Sequence, residues 1–482
     1  MLPISSIEFV SVEFALFFLL FLPIYWAARS ARAQNALLLL ASFGWLALLS
    51  AEFALVLAGY ALFVAFVARR IDADREAART WLTLGVVGSL GHLALHKYAP
   101  LLPQAEAAQW LLPLGLSYYT FQSISYMHEV YTGRIRPWGW SEVPLFLGFF
   151  PTITSGPIWR AGQAHSVLGT HAGADAQLPA RAGAPRRTMQ RPALALTLAL
   201  LGAAKVWWLS GWVEENLVAQ VFALPAAHDA PAVLLAVYAA LMQLYLSFSG
   251  HADLAIAIGM LLGFKLPPNF ATPFWAHNIR EFWGRWHISL STWIRDYIYI
   301  PLGGSRHGFA RTQVNLLAAM LLSGIWHGAS WVFALWGLAH GLALVLLNMG
   351  DALAGGRNRL ANLGVPGRAL GRIFTLSFVA FTFLVFRCAT LDELQGVLAV
   401  LAAPDAWSTP TAGNNLMATL AGAAALSTLW LAQPLAAPLV ERSARVLERL
   451  PRPLWCLPLA AAMLLLFVMA PSGVPGFLYA NF

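Results

Sequence analysis

The sequence predicts an all-α polytopic membrane protein, with about 11 to 12 transmembrane helices plus re-entrant and interfacial segments, on three observations. Of 482 residues, 59% are hydrophobic and 11% charged, so most of the chain belongs in something other than water. Apolar runs of about 17 to 25 residues recur, the length that crosses ~30 Å of hydrocarbon. The Lys and Arg residues sit at the ends of those runs; despite a formal charge of +8 they do not gather on a soluble face, so nucleic acid is not an expected partner. One membrane domain over 1–482 is expected. The two cysteines, Cys388 and Cys456, lie in or beside apolar runs and offer material for neither a disulfide framework nor a thiolate metal site.

The first run, Ile7 to Ala28, lacks a basic leader and a small-residue cleavage site and reads as a retained span. Further spans are expected near Ala36–Leu49, Phe53–Val67, Trp81–Leu95, Gln109–Met127 and Ala193–Trp212. They continue at Pro231–Leu262, Val314–Trp326, Trp331–Leu347, Ile373–Phe386, Met417–Leu435 and Leu454–Met469. Alternating sides along these spans places all but Lys97, Lys205 and Arg387 of the 30 Lys and Arg residues on one side. That side is expected to be the cytoplasm, with both termini in the periplasm of a bacterial inner membrane. The apolar stretch Ser141–Arg160 is broken by Pro144, Pro151, Gly156 and Pro157 and reads as a re-entrant segment, whose backbone must be buried in protein or line a wet cavity. Residues 162–191, rich in Ala, Gly and Arg, read as a mobile cytoplasmic loop.

Two features do not fit a plain bundle. Over residues 275–300, Ile279, Phe282, Trp286, Leu290, Trp293 and Tyr297 recur three and four apart, which predicts an amphipathic helix. Its polar stripe carries Arg280, His287, Ser291 and Arg295. Such a helix either lies in the headgroup layer or lines a pocket in which Arg285 or Arg295 holds an anionic or thioester-linked donor. The second feature is His327, between Gly324 and Gly328 and flanked by apolar stretches. It reads either as a neutral imidazole in a helix contact or as a base that takes a hydroxyl proton while the alcohol attacks a thioester. On an unbroken helix His340 would point away from His327, which makes it a packing residue. His92 and His96 have metal-compatible spacing without a third ligand nearby, so no metal is expected. Asp253, inside an apolar run, reads as a packing or substrate-orienting carboxylate.

The stretch GFKLPPNFATPFWAHNIREFWGRWHISLSTWIRDYIYIPLGGSRHG at Gly263–Gly308, followed by SGIWHGASWVFALWGLAHG at Ser323–Gly341, resembles the membrane-bound O-acyltransferase family, in the branch typified by the alginate O-acetylation membrane protein. Shorter matches at Leu114–Gly133, Phe149–Arg160, Gly202–Trp207 and Phe248–Asp253 extend the resemblance over nearly the whole chain, with departures at Glu129 and His251. The resemblance implies helices around a central funnel, an essential histidine at His327 and a second histidine at His287 on the donor side. Trp286, Asp296, Trp326 and Gln122, each inside a matched stretch, join Arg285, Ser291, Arg295 and Asp253 as substrate-side candidates. It further implies a cytoplasmic donor (acetyl coenzyme A or an acyl-carrier thioester), no tightly bound cofactor, a periplasmic acetyltransferase-like partner and a polysaccharide acceptor. The expected function is O-acetylation of a secreted alginate-like or cellulose-like polymer. D-alanyl transfer to teichoic acid and peptidoglycan O-acetylation are alternatives, and a transporter or flippase is the rival from another class.

Overall fold

The computed structural model describes residues 9, 11–98, 113–154, 156–166, 186–328, 330–357, 362–388, 390–408 and 416–471. Among these the regular elements are helical, and eight helices are long and apolar enough to cross a membrane. The protein is a multi-pass membrane protein. The chain divides into two compact units, one formed by residues up to Ala199 with His251–Pro267, the other by Leu200–Gly250 and the chain from Pro268 on.

In the first unit, α1 (Val12–Ala27), α2 (Ala31–Leu49) and α3 (Ala51–Ala73) each begin at a serine. The hydroxyls of Ser11, Ser30 and Ser50 accept from the amides of Phe14, Ala33 and Phe53 at 3.1 to 3.2 Å. Each serine thus satisfies an amide that the first helical turn leaves unpaired, and this sets where three successive apolar helices start. α4 (Ala78–Tyr98) and the nearly wholly buried α5 (Leu116–Tyr131) pack on them. The beginnings of two expected spans, at residues 7–8 and 109–112, lie outside the described residues.

The re-entrant stretch is a six-residue helix, α6 (Glu142–Leu147), followed by non-helical backbone on which Phe149, Phe150, Thr152, Ile158 and Trp159 are buried. The prolines break the helix ladder and burial in protein takes the place of lipid contact. After the short α7 (Ala161–Ser166), most of the expected mobile loop, residues 167–185, lies outside the described residues. Its end does not behave as a loose loop. Arg187 is buried, its guanidinium donates to Asn35 at 2.6 Å and lies 4.5 Å over the Phe264 ring, and its amide donates to Gln34 at 2.8 Å. Charge-assisted and cation–π contacts hold that arginine inside, an outcome that a composition-based loop reading does not anticipate.

The second unit is built from α8 (Pro192–Ala223, which belongs to it from Leu200 on), α9 (Ala230–Leu261, which belongs to it up to Gly250), α10 (Ile279–Trp283), α11 (Ile288–Ile294), α12 (Gly308–His327) and α13 (Trp331–Leu353). It continues with α14 (Val365–Phe386), α15 (Leu391–Ala402), α16 (Leu416–Glu448) and α17 (Arg452–Met469). Only 6% of α17 is buried and its Leu464, Phe467 and Val468 face outward, as a lipid-facing helix requires, whereas 72% of an apolar 18-residue window of α9 is buried. Two charges that broke the sidedness pattern are accounted for in this unit. Arg387 pairs with Glu214 at 2.9 Å, and the buried Lys205 lies 5.8 Å over the Tyr245 ring from a π-helical turn of α8 at Ala204–Ser210.

α12 and α13 form a tight hairpin because small residues let their backbones touch. A Cβ on Gly324 would stand 2.3 Å from the Phe333 carbonyl oxygen, and one on Gly337 would stand 2.4 Å from that of Met320. Gly337→Val is therefore expected to force the hairpin apart and cost about 1–3 kcal/mol or more. Thermal unfolding of the detergent-solubilised protein checks this, and an unchanged midpoint contradicts it.

Candidate active site

The segment 275–300 is not one continuous helix. A 3-10 turn at Pro273–Trp275 leads to α10, the chain turns at Gly284–His287, and α11 runs into a π-helical turn at Arg295–Tyr299. The break falls at His287, whose backbone takes the left-handed conformation at φ 43° and ψ 54°, unusual for a residue with a Cβ. Nevertheless Ile279, Phe282, Trp286, Leu290 and Trp293 are all buried, so the apolar spacing is realised across two short helices. Asn269 holds the break in place. Its side-chain oxygen accepts from the Ser289 hydroxyl at 2.6 Å and the Ser289 amide at 3.2 Å, and its carbonyl accepts from the Ile288 amide at 2.9 Å. These bonds satisfy the first amides of α11 in place of a side-chain cap from His287. Asn269 was not among the residues singled out from the sequence; the only signal was an amide following two prolines.

His287 itself is 1% exposed, and neither ring nitrogen has a hydrogen-bond partner among the described residues. Its ring meets Phe248 edge-on at 4.8 Å. His287 lies outside the eight candidate spans, and burial pushes its pKa down to about 3, so the imidazole is neutral near pH 7. A buried neutral imidazole with open nitrogens is costly unless a ligand supplies partners.

His327 is the last residue of α12, after which Gly328 is fully extended at φ −176°. Its ring is 3% exposed and sits among aromatic rings: perpendicular to Trp336 at 5.1 Å and to Phe386 at 5.0 Å, with Trp326 at 4.5 Å and Phe333 at 6.4 Å. The helix ends at His327, so the angular argument that separated His340 from it does not apply. Both imidazoles contact Trp336, His340 at 4.7 Å, while His340 Nε2 also meets the Thr382 hydroxyl at 2.9 Å. A continuous run of ring contacts of 4.8 to 5.2 Å joins the two candidate histidines, from His287 through Phe248, Phe270, Trp286, Phe383 and Phe386 to His327. A seam of packed rings leaves little room for water, and its low dielectric strengthens electrostatic contacts at the imidazoles.

The other candidates take distinct places. Trp286 is enclosed in the aromatic seam, and the Ser291 hydroxyl donates to the Trp286 carbonyl at 3.1 Å. Arg285 pairs with Glu281 and donates to the Thr272 hydroxyl at 2.8 Å. Arg295 is more than half exposed and grips Asp296 at 2.6 and 3.2 Å. Trp326 adjoins His327. Gln122, on α5, and Asp253, on α9, belong to the first unit. Gln122 is buried, with no hydrogen-bond partner for its amide nitrogen among the described residues. In that unit His92 Nε2 meets the Tyr119 hydroxyl at 2.9 Å, and the His92 ring stacks on Tyr60 and touches His96 at 4.8 Å.

A profile of the membrane-bound O-acyltransferase family matches residues 77–353, a span holding every candidate residue above. The chain is 35% identical over 354 residues to the probable alginate O-acetylase AlgI of Pseudomonas aeruginosa, covering 68% of this chain and 64% of that one. It is 33% identical over 414 residues to the probable alginate O-acetylase AlgI of Azotobacter vinelandii, covering 82% and 77%. It is also 28% identical over 449 residues to the peptidoglycan O-acetyltransferase of Helicobacter pylori, covering 82% and 78%.

Proposed function

The chain belongs to the membrane-bound O-acyltransferase family, and from that premise we propose that it moves an acetyl group from a cytoplasmic thioester across the bacterial inner membrane for O-acetylation of a secreted, alginate-like polysaccharide. The observation that carries the mechanism is the placement of His327, a buried imidazole at a helix end framed by Trp326, Phe333, Trp336 and Phe386. In the proposed step a hydroxyl oxygen attacks the thioester carbonyl while its proton passes to the His327 imidazole. The tetrahedral intermediate then collapses, the carbon–sulfur bond breaks, and the imidazolium returns the proton to the leaving thiolate. Histidine suits both transfers because its ordinary pKa lies near the working pH.

The open nitrogens of His287 supply hydrogen-bonding capacity toward the donor side of the same seam. Arg295, more than half exposed at the end of this segment, is the cation placed to meet an anionic carrier, whereas Arg285 is committed to Glu281 and Thr272. A periplasmic acetyltransferase-like partner completes delivery to the polymer in this reading. The Helicobacter pylori relative favours peptidoglycan as a second acceptor, which acetyl content of the cell wall against that of the secreted polymer distinguishes.

Sidedness is testable in vesicles. Inverted membrane vesicles, which expose the cytoplasmic face, are expected to consume labelled acetyl coenzyme A or acetylated carrier protein, and right-side-out vesicles to leave it intact. Consumption confined to right-side-out vesicles overturns the cytoplasmic-donor reading.

A further inference from the structure

A cavity of about 370 Å³ in the second unit lies between α9, α14 and α16, with Phe274 and Trp407 also in its lining. From α9 it is lined by Leu234, Leu235, Tyr238, Leu241 and Met242, and from α16 by Thr419, Ala423, Leu426, Ser427 and Trp430. Each set recurs three and four apart, so each is one face of its helix; Leu234–Met242 extends roughly 12 Å and Thr419–Trp430 roughly 16 Å. The two rows run side by side in the same direction. Near one end Gly422 faces Leu235, whose Cδ2 would stand 3.0 Å from an added Cβ. At the other, Phe274 packs 5.0 Å from Tyr245 while its carbonyl accepts from Trp430 Nε1 at 3.0 Å. The cavity is therefore a long apolar shaft with room for roughly a dozen methylene groups, taking about 30 Å³ for each group of that size.

One end of the shaft carries a cation. Arg372 lies one helical turn from the lining residue Leu376; its guanidinium stands 4.6 Å over the Trp275 ring and its Nε donates to the Trp275 carbonyl at 3.2 Å. The Trp275 indole in turn donates to the Trp430 carbonyl at 3.2 Å, and the exposed Arg368 sits one turn further out on α14. Indoles beside arginine at the end of an apolar shaft are the arrangement that marks a membrane–water boundary.

We propose that this shaft holds one acyl chain of an anionic phospholipid whose phosphate is met by Arg372 and Arg368. The length and apolar lining match an acyl chain, and the cationic end matches the phosphate in charge. The pantetheine arm of a coenzyme A or carrier thioester holds two amides that this largely apolar lining would leave unpaired, so the site is separate from the acetyl-transfer chemistry. It nevertheless touches the aromatic seam, because Phe274 stacks on Trp286 at 6.3 Å.

The test uses the full-length protein purified in maltoside detergent, titrated with phosphatidylglycerol or phosphatidylethanolamine and read by intact-complex mass spectrometry. The wild type is expected to retain phosphatidylglycerol over phosphatidylethanolamine by roughly 25-fold, about fivefold for each of the two basic residues near the anionic lipid. Ala423→Phe, which fills the shaft, is expected to abolish retention of both lipids, and Leu376→Trp does the same if Ala423→Phe fails to fold. Arg372→Gln is expected to lower the preference to roughly fivefold, and the double variant Arg368→Gln/Arg372→Gln to retain both lipids equally. Retention of detergent alone by the wild type, undiminished retention in the filled variants, or an unchanged preference in Arg372→Gln overturns the proposal.

Discussion

His327→Ala is expected to bring polymer acetylation to background while the protein still inserts and folds. General acid–base catalysis by one positioned side chain contributes about 10²–10⁴ in rate, and in the proposed step the same imidazole serves both halves of the transfer. The fold should survive because His327 ends α12, whereas the hairpin is held by the Gly324 and Gly337 contact and by Trp336, Phe333 and Phe386 packing on one another. Removing a buried ring from that cluster costs on the order of 1–3 kcal/mol, so a lower melting temperature is expected without loss of expression. The measurement is acetyl content of the secreted polymer, normalised to membrane-extracted protein. Near-normal acetyl content in a well-expressed His327→Ala strain contradicts the assignment.

His287→Ala is expected to lower acetylation by about 10- to 100-fold, because the two ring nitrogens without partners among the described residues are what a bound donor would meet. A purely structural histidine would give a different pattern across substitutions. The left-handed backbone at φ 43° is easier for glycine by about 1 kcal/mol, so His287→Gly should be the more stable of the two variants and yet equally inactive. If His287→Gly restores activity, the ring acts only through its backbone. Linkage supplies a second readout. The folded pKa of about 3 lies below the ordinary 6.5, so the unfolded chain binds the proton first, and stability falls as pH drops from 6.5 toward 3 by on the order of 1 kcal/mol per unit. In His287→Gln that decline should be shallower; an identical decline contradicts the burial assignment.

Much of this architecture was legible in the chain because lipid leaves few choices. Long apolar runs must close their own backbone hydrogen bonds, so Phe53–Val67 and Trp331–Leu347 fall inside α3 and α13, and the proline-broken stretch after Ser141 is buried as irregular backbone. His327 stood out for the same reason, as an ionisable group flanked by apolar stretches. The break at His287 was not legible, since periodicity reports which side chains are buried and is blind to a single left-handed residue between two helical turns. The holding role of Asn269 and the burial of Arg187 depend on partners 20 and 152 residues away, Ser289 and Asn35, which spacing along one helix cannot reveal. The separation inferred between His327 and His340 failed on its one assumption, an unbroken helix, because Gly328 is extended.

Proton transfer at His327 is tested most directly by single-turnover cleavage of a labelled acetyl thioester by the purified protein, with donor affinity measured in parallel. Glutamine at position 327 fills much of the same space and forms hydrogen bonds, but it cannot take up a proton at neutral pH. His327→Gln is predicted to bind the donor within about threefold of wild type while cleaving it at least ~100-fold more slowly. Cleavage at the wild-type rate, with affinity unchanged, would contradict the account.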